Sequence, residues 1–418
     1  MNIVIHPSKA EGELRAIPSK SYMHRALVCA ALADKPTALY CPESNRDIQA
    51  TVECLCALGA EIQEDGGVYT VCPISWEREE AACLDCHESG STLRFLLPLA
   101  AALGRSAYLH TSGRLTQRPL SPLYEELLRH GVKLSPQGES PLSVEGQLEG
   151  GVYRLDGGIS SQFFTGLLLS LPLLSRESTV EVEGVLESAP YVALTSDVMK
   201  KFGVEPLVTS EKMQISPAAF RSPGNLEIEG DWSNAAFWLT AGVLGGEIRL
   251  TGLQKNSAQG DKAIVSLLRQ MGGEIVEEEG VYIAKPSKLH GMEIDARDIP
   301  DLVPILAIAA ACANGETVIR GAARLRLKES DRIESVCKML TELGISCRET
   351  DDGMVIKGGE MKGGIVDACN DHRIAMSTTV ASVACPLPIT LLGAEAVNKS
   401  YPAFFRHFEQ LGGRVKEI

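Results

Sequence analysis

The chain lacks any run of about 18 apolar residues, so no segment is read as crossing a membrane. Its first residues, "MNIVIHPSKAEGELRAIPSKS", lack the basic start and apolar core of an export signal, so a cytoplasmic protein is expected. Bases are short as well: 40 Lys and Arg against 54 Asp and Glu give a formal charge of −14. That balance argues against an extended nucleic-acid or acidic-membrane face, although a few local cations can still dominate one anion-binding cleft. No G-x-x-x-x-G-K-[ST] loop occurs, which removes the common phosphate-transfer ATPase reading. The twelve cysteines have no second ligand pair at zinc spacing, and "CLDCH" (83 to 87) is read as structure, not haem attachment.

What is present is repetition. A helix-ending glycine followed by a strand-like run recurs at Gly59, Gly131, Gly203, Gly272, Gly344 and Gly412, at intervals of 72, 72, 69, 72 and 68 residues. Each such glycine is expected at C′, where a left-handed backbone ends a helix. A second, strongly apolar helix opens near Ser21, Ser91, Ser161, Ser233, Leu302 and His372. These helices are too apolar for a surface and are expected to be buried.

Six units divide as three plus three. With 418 residues, two domains are expected: an N-terminal lobe over 14–226, and a C-terminal lobe made of 1–13 and 227–418. "NIVIH" (2 to 6) is expected to supply the strand missing after Gly412. Two crossings between similar lobes suggest hinge closure over a ligand.

The helix openings carry polar residues, and Ser91, Asp231, Ser233 and Asp371 are expected as caps. Capping does not explain Lys20, Arg25 or Arg373, because a cation is disfavoured at a helix N-terminus. The other helices add Arg118, Ser188, Tyr191 and Lys399. In "RLRLKESDRIES" (324 to 335) a helix is expected from near Ser330, with Asp331 in its first turn. Lys328, Glu329 and Arg332 then crowd the opening, while Glu334 and Arg326 stay solvated.

"PSKSYMHRA", "ESGSTLRF", "RP" (118–119), "SSQF", "LKESDR" and "NDHR", in this order, resemble the 5-enolpyruvylshikimate-3-phosphate synthase family. The resemblance runs from Pro18 to Lys399. It implies an α/β protein with two lobes, each an inside-out barrel of three βαβαββ units. It also implies enolpyruvyl transfer from phosphoenolpyruvate to the 5-hydroxyl of shikimate 3-phosphate, with no cofactor, no metal and no macromolecular partner, by a monomer.

By resemblance, Lys20, Gly90, Arg118, Gln162, Arg332, Arg373 and Lys399 would hold phosphoenolpyruvate. Shikimate 3-phosphate would be held by Lys20, Ser21, Arg25, Ser160, Ser161, Gln162, Ser188, Asp301 and Lys328. His372 and Tyr191 would stand behind these contacts. Asp301 is the candidate base, Glu329 the candidate acid, and Lys20 an assistant in proton transfer. Arg324 stands where many relatives have Asn, and Glu88 lies near the phosphoenolpyruvate residues. Two alternatives remain: a UDP-N-acetylglucosamine enolpyruvyl transferase, and a non-catalytic six-repeat clamp or binding protein. The first is disfavoured because "LHTSGRLTQRP" lacks a loop cysteine, the second because acids outnumber bases.

Overall fold

A computed structural model describes residues 1–75 and 80–418. The chain forms two compact units, Lys20–Ile228 and Met1–Ser19 with Glu229–Ile418. The described strands form six separate four-stranded sheets.

The second repeat shows the plan without interruption. Strand Ala82–Asp85, buried helix Gly90–Ala102 and strand Ala107–His110 form a parallel crossover. Helix Leu123–Arg129 follows, then strands Val132–Leu134 and Leu142–Gly146, the latter antiparallel to Ala107–His110. The helix–strand periodicity is that of βαβαββ.

Three repeats borrow a strand from elsewhere in the chain. Asn2–His6 lies antiparallel between Ile389–Leu392 and Arg414–Glu417, completing the sixth. Gly12–Arg15 pairs in parallel with Ile248–Thr251 of the fourth, and Asn225–Glu227 with Thr37–Tyr40 of the first. Leu14 and Arg15 thus belong to the C-terminal unit, which runs to Ser19 and resumes at Glu229. The expected breaks at 13/14 and 226/227 fall short of these positions.

The shift has a backbone cause. Ser19 N–H donates to Glu229 O at 2.8 Å and Asp231 N–H to Ile17 O at 2.8 Å, so the two crossings are zipped inside the C-terminal unit. Buried Gln259 reinforces them: its Nε2 donates to Glu229 Oε1 (2.7 Å) and Gly230 O (2.8 Å). Its Oε1 accepts from Ser19 Oγ and Trp232 N, each at 3.1 Å.

In the C-terminal unit, helices Trp232–Leu244, Val303–Ala311 and His372–Ala381 pack on one another and are buried almost throughout. "VPILAIAAA" has no polar side chain, so it has no face to offer water. Sheets lie outside these helices; strand Ile248–Thr251 alternates buried and half-buried positions, as one covered face requires. In the N-terminal unit the corresponding buried helices are Lys20–Ala31, Gly90–Ala102 and Ser161–Ser170. The amphipathic helices end where the repeat predicts, with φ between +77° and +108° at all six glycines from Gly59 to Gly412. Side chains other than glycine are strained there.

Candidate active site

In the N-terminal unit, three buried helices open on polar side chains. Ser89 caps Gly90–Ala102 and Ser160 caps Ser161–Ser170, each accepting a backbone N–H at 3.3 Å. Ser91, expected as a cap, instead accepts from Gln162 Nε2 at 3.0 Å. Gln162 Oε1 accepts from Arg94 Nη1 at 2.8 Å, and Arg94 Nη2 donates to Pro119 O at 3.2 Å. A Cβ on Gly90 would lie 2.8 Å from Arg94 Nη1 and 3.0 Å from Arg118 Nη1, so two guanidiniums close on this glycine. Gly90, Arg118, Ser160, Ser161 and Gln162 therefore share one neighbourhood, with Arg94 as an added member. Its sequence signal was a lone charge one turn into a buried apolar helix.

Lys20, the first residue of its helix, pairs with Asp47 at 2.8 Å. Asp47 lies in the first turn of helix Arg46–Ala57, so a carboxylate answers the misplaced cation. Buried Arg25 spends four hydrogen bonds inside the protein, on Thr195 Oγ1, Thr165 Oγ1, Ser21 O and Tyr191 O. Burial pushes its pKa down to about 10. Ser188, just before helix Ala189–Lys201, is buried with a left-handed backbone (φ 55°). Glu88 packs on Gly113, where a Cβ would lie 2.7 Å from its carboxyl carbon.

The C-terminal unit holds a denser cluster. The helix opens near Ser330 as expected, with Asp331 as the cap: its side chain accepts from Glu334 N, and the helix runs Arg332–Glu342. Ser330 Oγ turns to Asp371 Oδ2 at 3.1 Å instead. Arg332, 1% exposed, donates to three carboxylates: Nε to Asp371 (2.7 Å), Nη1 to Asp301 (2.9 Å) and Nη2 to Glu329 (2.6 Å). Arg373 Nη2 reaches Asp301 Oδ2 at 2.9 Å, and Lys328 Nζ stands 3.9 Å from Oδ1. Asp371 also caps helix His372–Ala381 by accepting from Arg373 N at 2.9 Å. His372 is buried at the first position of that helix.

Before this cap, Cys369 and Asn370 both have left-handed backbones (φ 52° and 54°). Such pairs of non-glycine residues cost about 1–2 kcal/mol each and tend to mark functional sites. The turn aims Asn370 O at Lys399 Nζ, 2.7 Å away. Two further members of the charged run also find partners. Arg326 bonds Asp331 (3.1 Å) and Glu349 (3.0 Å), so it is not merely solvated. Arg324 is buried and donates to Arg297 O.

Charge perturbation follows this packing. Burial opposes the Asp301 charge, but Arg373, Lys328 and Arg332 outweigh it and hold the carboxyl well below its usual range. Burial pushes Lys328 down to about 8 despite nearby Asp301. Burial also opposes the Arg332 charge, yet Asp371, Glu329 and Asp301 hold its pKa above the ordinary value. An ionised acid, a lysine near neutral titration and a half-buried glutamate within one cluster suit anion binding coupled to proton transfer.

The sequence model of the EPSP synthase (3-phosphoshikimate 1-carboxyvinyltransferase) family matches residues 4–408. The chain belongs to this family. A 3-phosphoshikimate 1-carboxyvinyltransferase of Clostridium acetobutylicum is 41% identical, over 100% of this chain and 99% of that protein. One of Clostridium kluyveri is also 41% identical, over 99% and 98%. Among solved structures, EPSP synthase from Acinetobacter baumannii superposes with TM-score 0.82 at 27% identity, covering 100% of both chains. The enolpyruvyl transferase NikO from Streptomyces tendae shares the fold, with TM-score 0.80 at 21% identity over 99% and 98% of the two chains.

Within the family frame, the residues that sequence reasoning left without a role at the site are Asp47, Arg94 and, as more than a cap, Asp371. Each is a buried or half-buried partner of a predicted site residue. Their only sequence trace was a charge beside a helix opening, which is also what an ordinary cap looks like.

Proposed function

We propose that this chain transfers the enolpyruvyl group of phosphoenolpyruvate to the 5-hydroxyl of shikimate 3-phosphate by addition and elimination, releasing phosphate. The observation that carries the reading is the cluster in which Lys328, Arg332 and Arg373 surround Asp301, with Glu329 on the same arginine.

On the N-terminal unit, Lys20, Gly90, Arg118 and Gln162 serve phosphoenolpyruvate, chiefly its phosphate. Ser160, Ser161 and Ser188 take the shikimate phosphate, with Tyr191 behind them. Ser21, Arg25, Gln162 and Lys20 fix the shikimate ring. On the C-terminal unit, Arg373 and Arg332 take the phosphoenolpyruvate carboxylate, where a planar fork fits. Lys399 serves its phosphate, and Lys328 with Asp301 serves the ring, with His372 behind.

Asp301, held ionised, accepts the 5-hydroxyl proton as that oxygen bonds to C2 of phosphoenolpyruvate. Glu329 delivers a proton to C3, then recovers one from C3 as phosphate leaves with the proton that Asp301 took. Glu329 faces a difficulty, since Arg332 at 2.6 Å favours its ionised form. Exchange of partners at Arg332 removes it. A substrate carboxylate taking the Arg332 fork frees the glutamate oxygen, which can then hold the proton it must deliver. Lys20 assists proton transfer.

The protein incubated with shikimate 3-phosphate and phosphoenolpyruvate should release inorganic phosphate. Release only with UDP-N-acetylglucosamine as acceptor would transfer the reading to the sister reaction. We also assign the enzyme to the cytoplasm as a monomer, which fractionation and light scattering check.

A further inference from the structure

All twelve cysteines are free thiols, but two pairs hydrogen-bond through their sulfurs: Cys54 with Cys86, and Cys337 with Cys347. Cys54 and Cys86 are both sealed from solvent. Cys337 and Cys347 differ in two ways. Their sulfurs stand 2.7 Å apart, and Cys347 is half-buried, so an oxidant can reach one member.

We propose that Cys337 and Cys347 form an oxidation site that closes to an intrachain disulfide. The fold holds the pair together independently of the sulfurs. Cys337 lies on helix Arg332–Glu342, and Cys347 on strand Ser346–Thr350, which packs on that helix. The connection is a tight turn through Gly344 at φ +82°. A disulfide needs its sulfurs about 2.05 Å apart, so this pair has only a short further approach to make.

The chemistry requires a peroxide, which supplies the two-electron oxidant. Cys347, as thiolate, attacks the peroxide O–O bond and becomes a sulfenic acid. One peroxide oxygen leaves as water after taking a proton. The Cys337 sulfur then attacks the Cys347 sulfur and displaces hydroxide. That hydroxide takes the Cys337 thiol proton and leaves as a second water. Cys347 is the more exposed of the two, so it meets the peroxide first and buried Cys337 resolves it.

The bond would staple the helix that begins with Arg332 to the strand that holds Arg326 through Glu349 (3.0 Å) and Thr350 O (3.2 Å). The frame on both sides of Lys328 and Glu329 would be fixed. The oxidised protein should therefore unfold at a temperature a few degrees higher.

The test treats the full chain with hydrogen peroxide, blocks remaining thiols in denaturant, and maps peptides by mass spectrometry. A linked Cys337–Cys347 peptide is expected, together with the higher unfolding midpoint. Both should be reversed by dithiothreitol and absent from Cys347→Ser. Cys337→Ser should instead leave Cys347 as a sulfenic acid that dimedone traps. The proposal is overturned if wild type yields dimedone-labelled Cys347 without the linked peptide, or if the bond maps to Cys54–Cys86.

Discussion

Arg332 Nη2 stands 2.6 Å from Glu329 Oε2, joining a guanidinium 1% exposed to a carboxylate 22% exposed. The arginine is fixed by Asp371 and Asp301, whereas the glutamate keeps one edge toward solvent. Of the two, Glu329 is the group that can leave the pair and act. Glu329→Gln preserves shape and removes the proton-carrying acid. Turnover measured by phosphate release should fall about 10²-fold or more, with both substrates still bound in calorimetry. Unchanged turnover would remove Glu329 from the mechanism.

Lys328 sets an alkaline limit. With its pKa lowered to about 8, it loses charge above that pH and with it the attraction for an anionic substrate. The kcat/KM for shikimate 3-phosphate should decline above pH 8. Lys328→Arg, charged throughout, should remove that limb. The stability sign is opposite: from about 8 up to the ordinary 10.5 the unfolded chain binds the extra proton, so this group's contribution to stability rises with pH.

Asp371→Asn separates cap from charge. Asparagine can still accept from Arg373 N, but the Arg332 guanidinium loses its buried partner at 2.7 Å. Urea denaturation should show a loss of about 3 kcal/mol, and Asp371→Ala about 1 kcal/mol more. Equal losses in the two variants would mean the cap adds nothing.

Gly90→Ala should separate affinity from folding. Its Cβ would press on Arg94 and Arg118 at 2.8 and 3.0 Å, while Gly90, the first residue of its helix, has no positive φ for alanine to strain. The KM for phosphoenolpyruvate should rise several-fold without loss of thermal stability. A lower unfolding midpoint with unchanged KM would show that the arginines yield and the backbone does not.

Gln259→Leu would strip the crossings of four hydrogen bonds and take one donor from the buried Glu229 carboxylate, leaving Ser257 Oγ at 2.6 Å. A loss of about 1–3 kcal/mol is expected in denaturant unfolding. Faster amide exchange at Ser19 and Trp232 should accompany it.

The repeat was legible because its signals are local. A glycine forced to positive φ, an apolar run with no polar face and a strand left over at residues 2 to 6 each depend on a few neighbouring residues. Finer positions were less legible where several residues suit one role. Ser330 and Asp331 can both cap, and Asp371, 41 residues beyond Ser330, draws the serine away. Ser89 likewise caps in place of Ser91 because Gln162, 71 residues on, takes Ser91.

By itself the sequence determined six repeats, the type and order of their elements, and which side chains stand at helix openings, since periodicity and backbone preference act over one or two turns. Tertiary structure alone decided that the first and fourth repeats also borrow a strand, that Arg332 is shared by three carboxylates, and that Arg94 joins Gln162. Those are pairings across long stretches of chain, set by burial, where an unpaired charge costs too much to remain and the fold selects its partner.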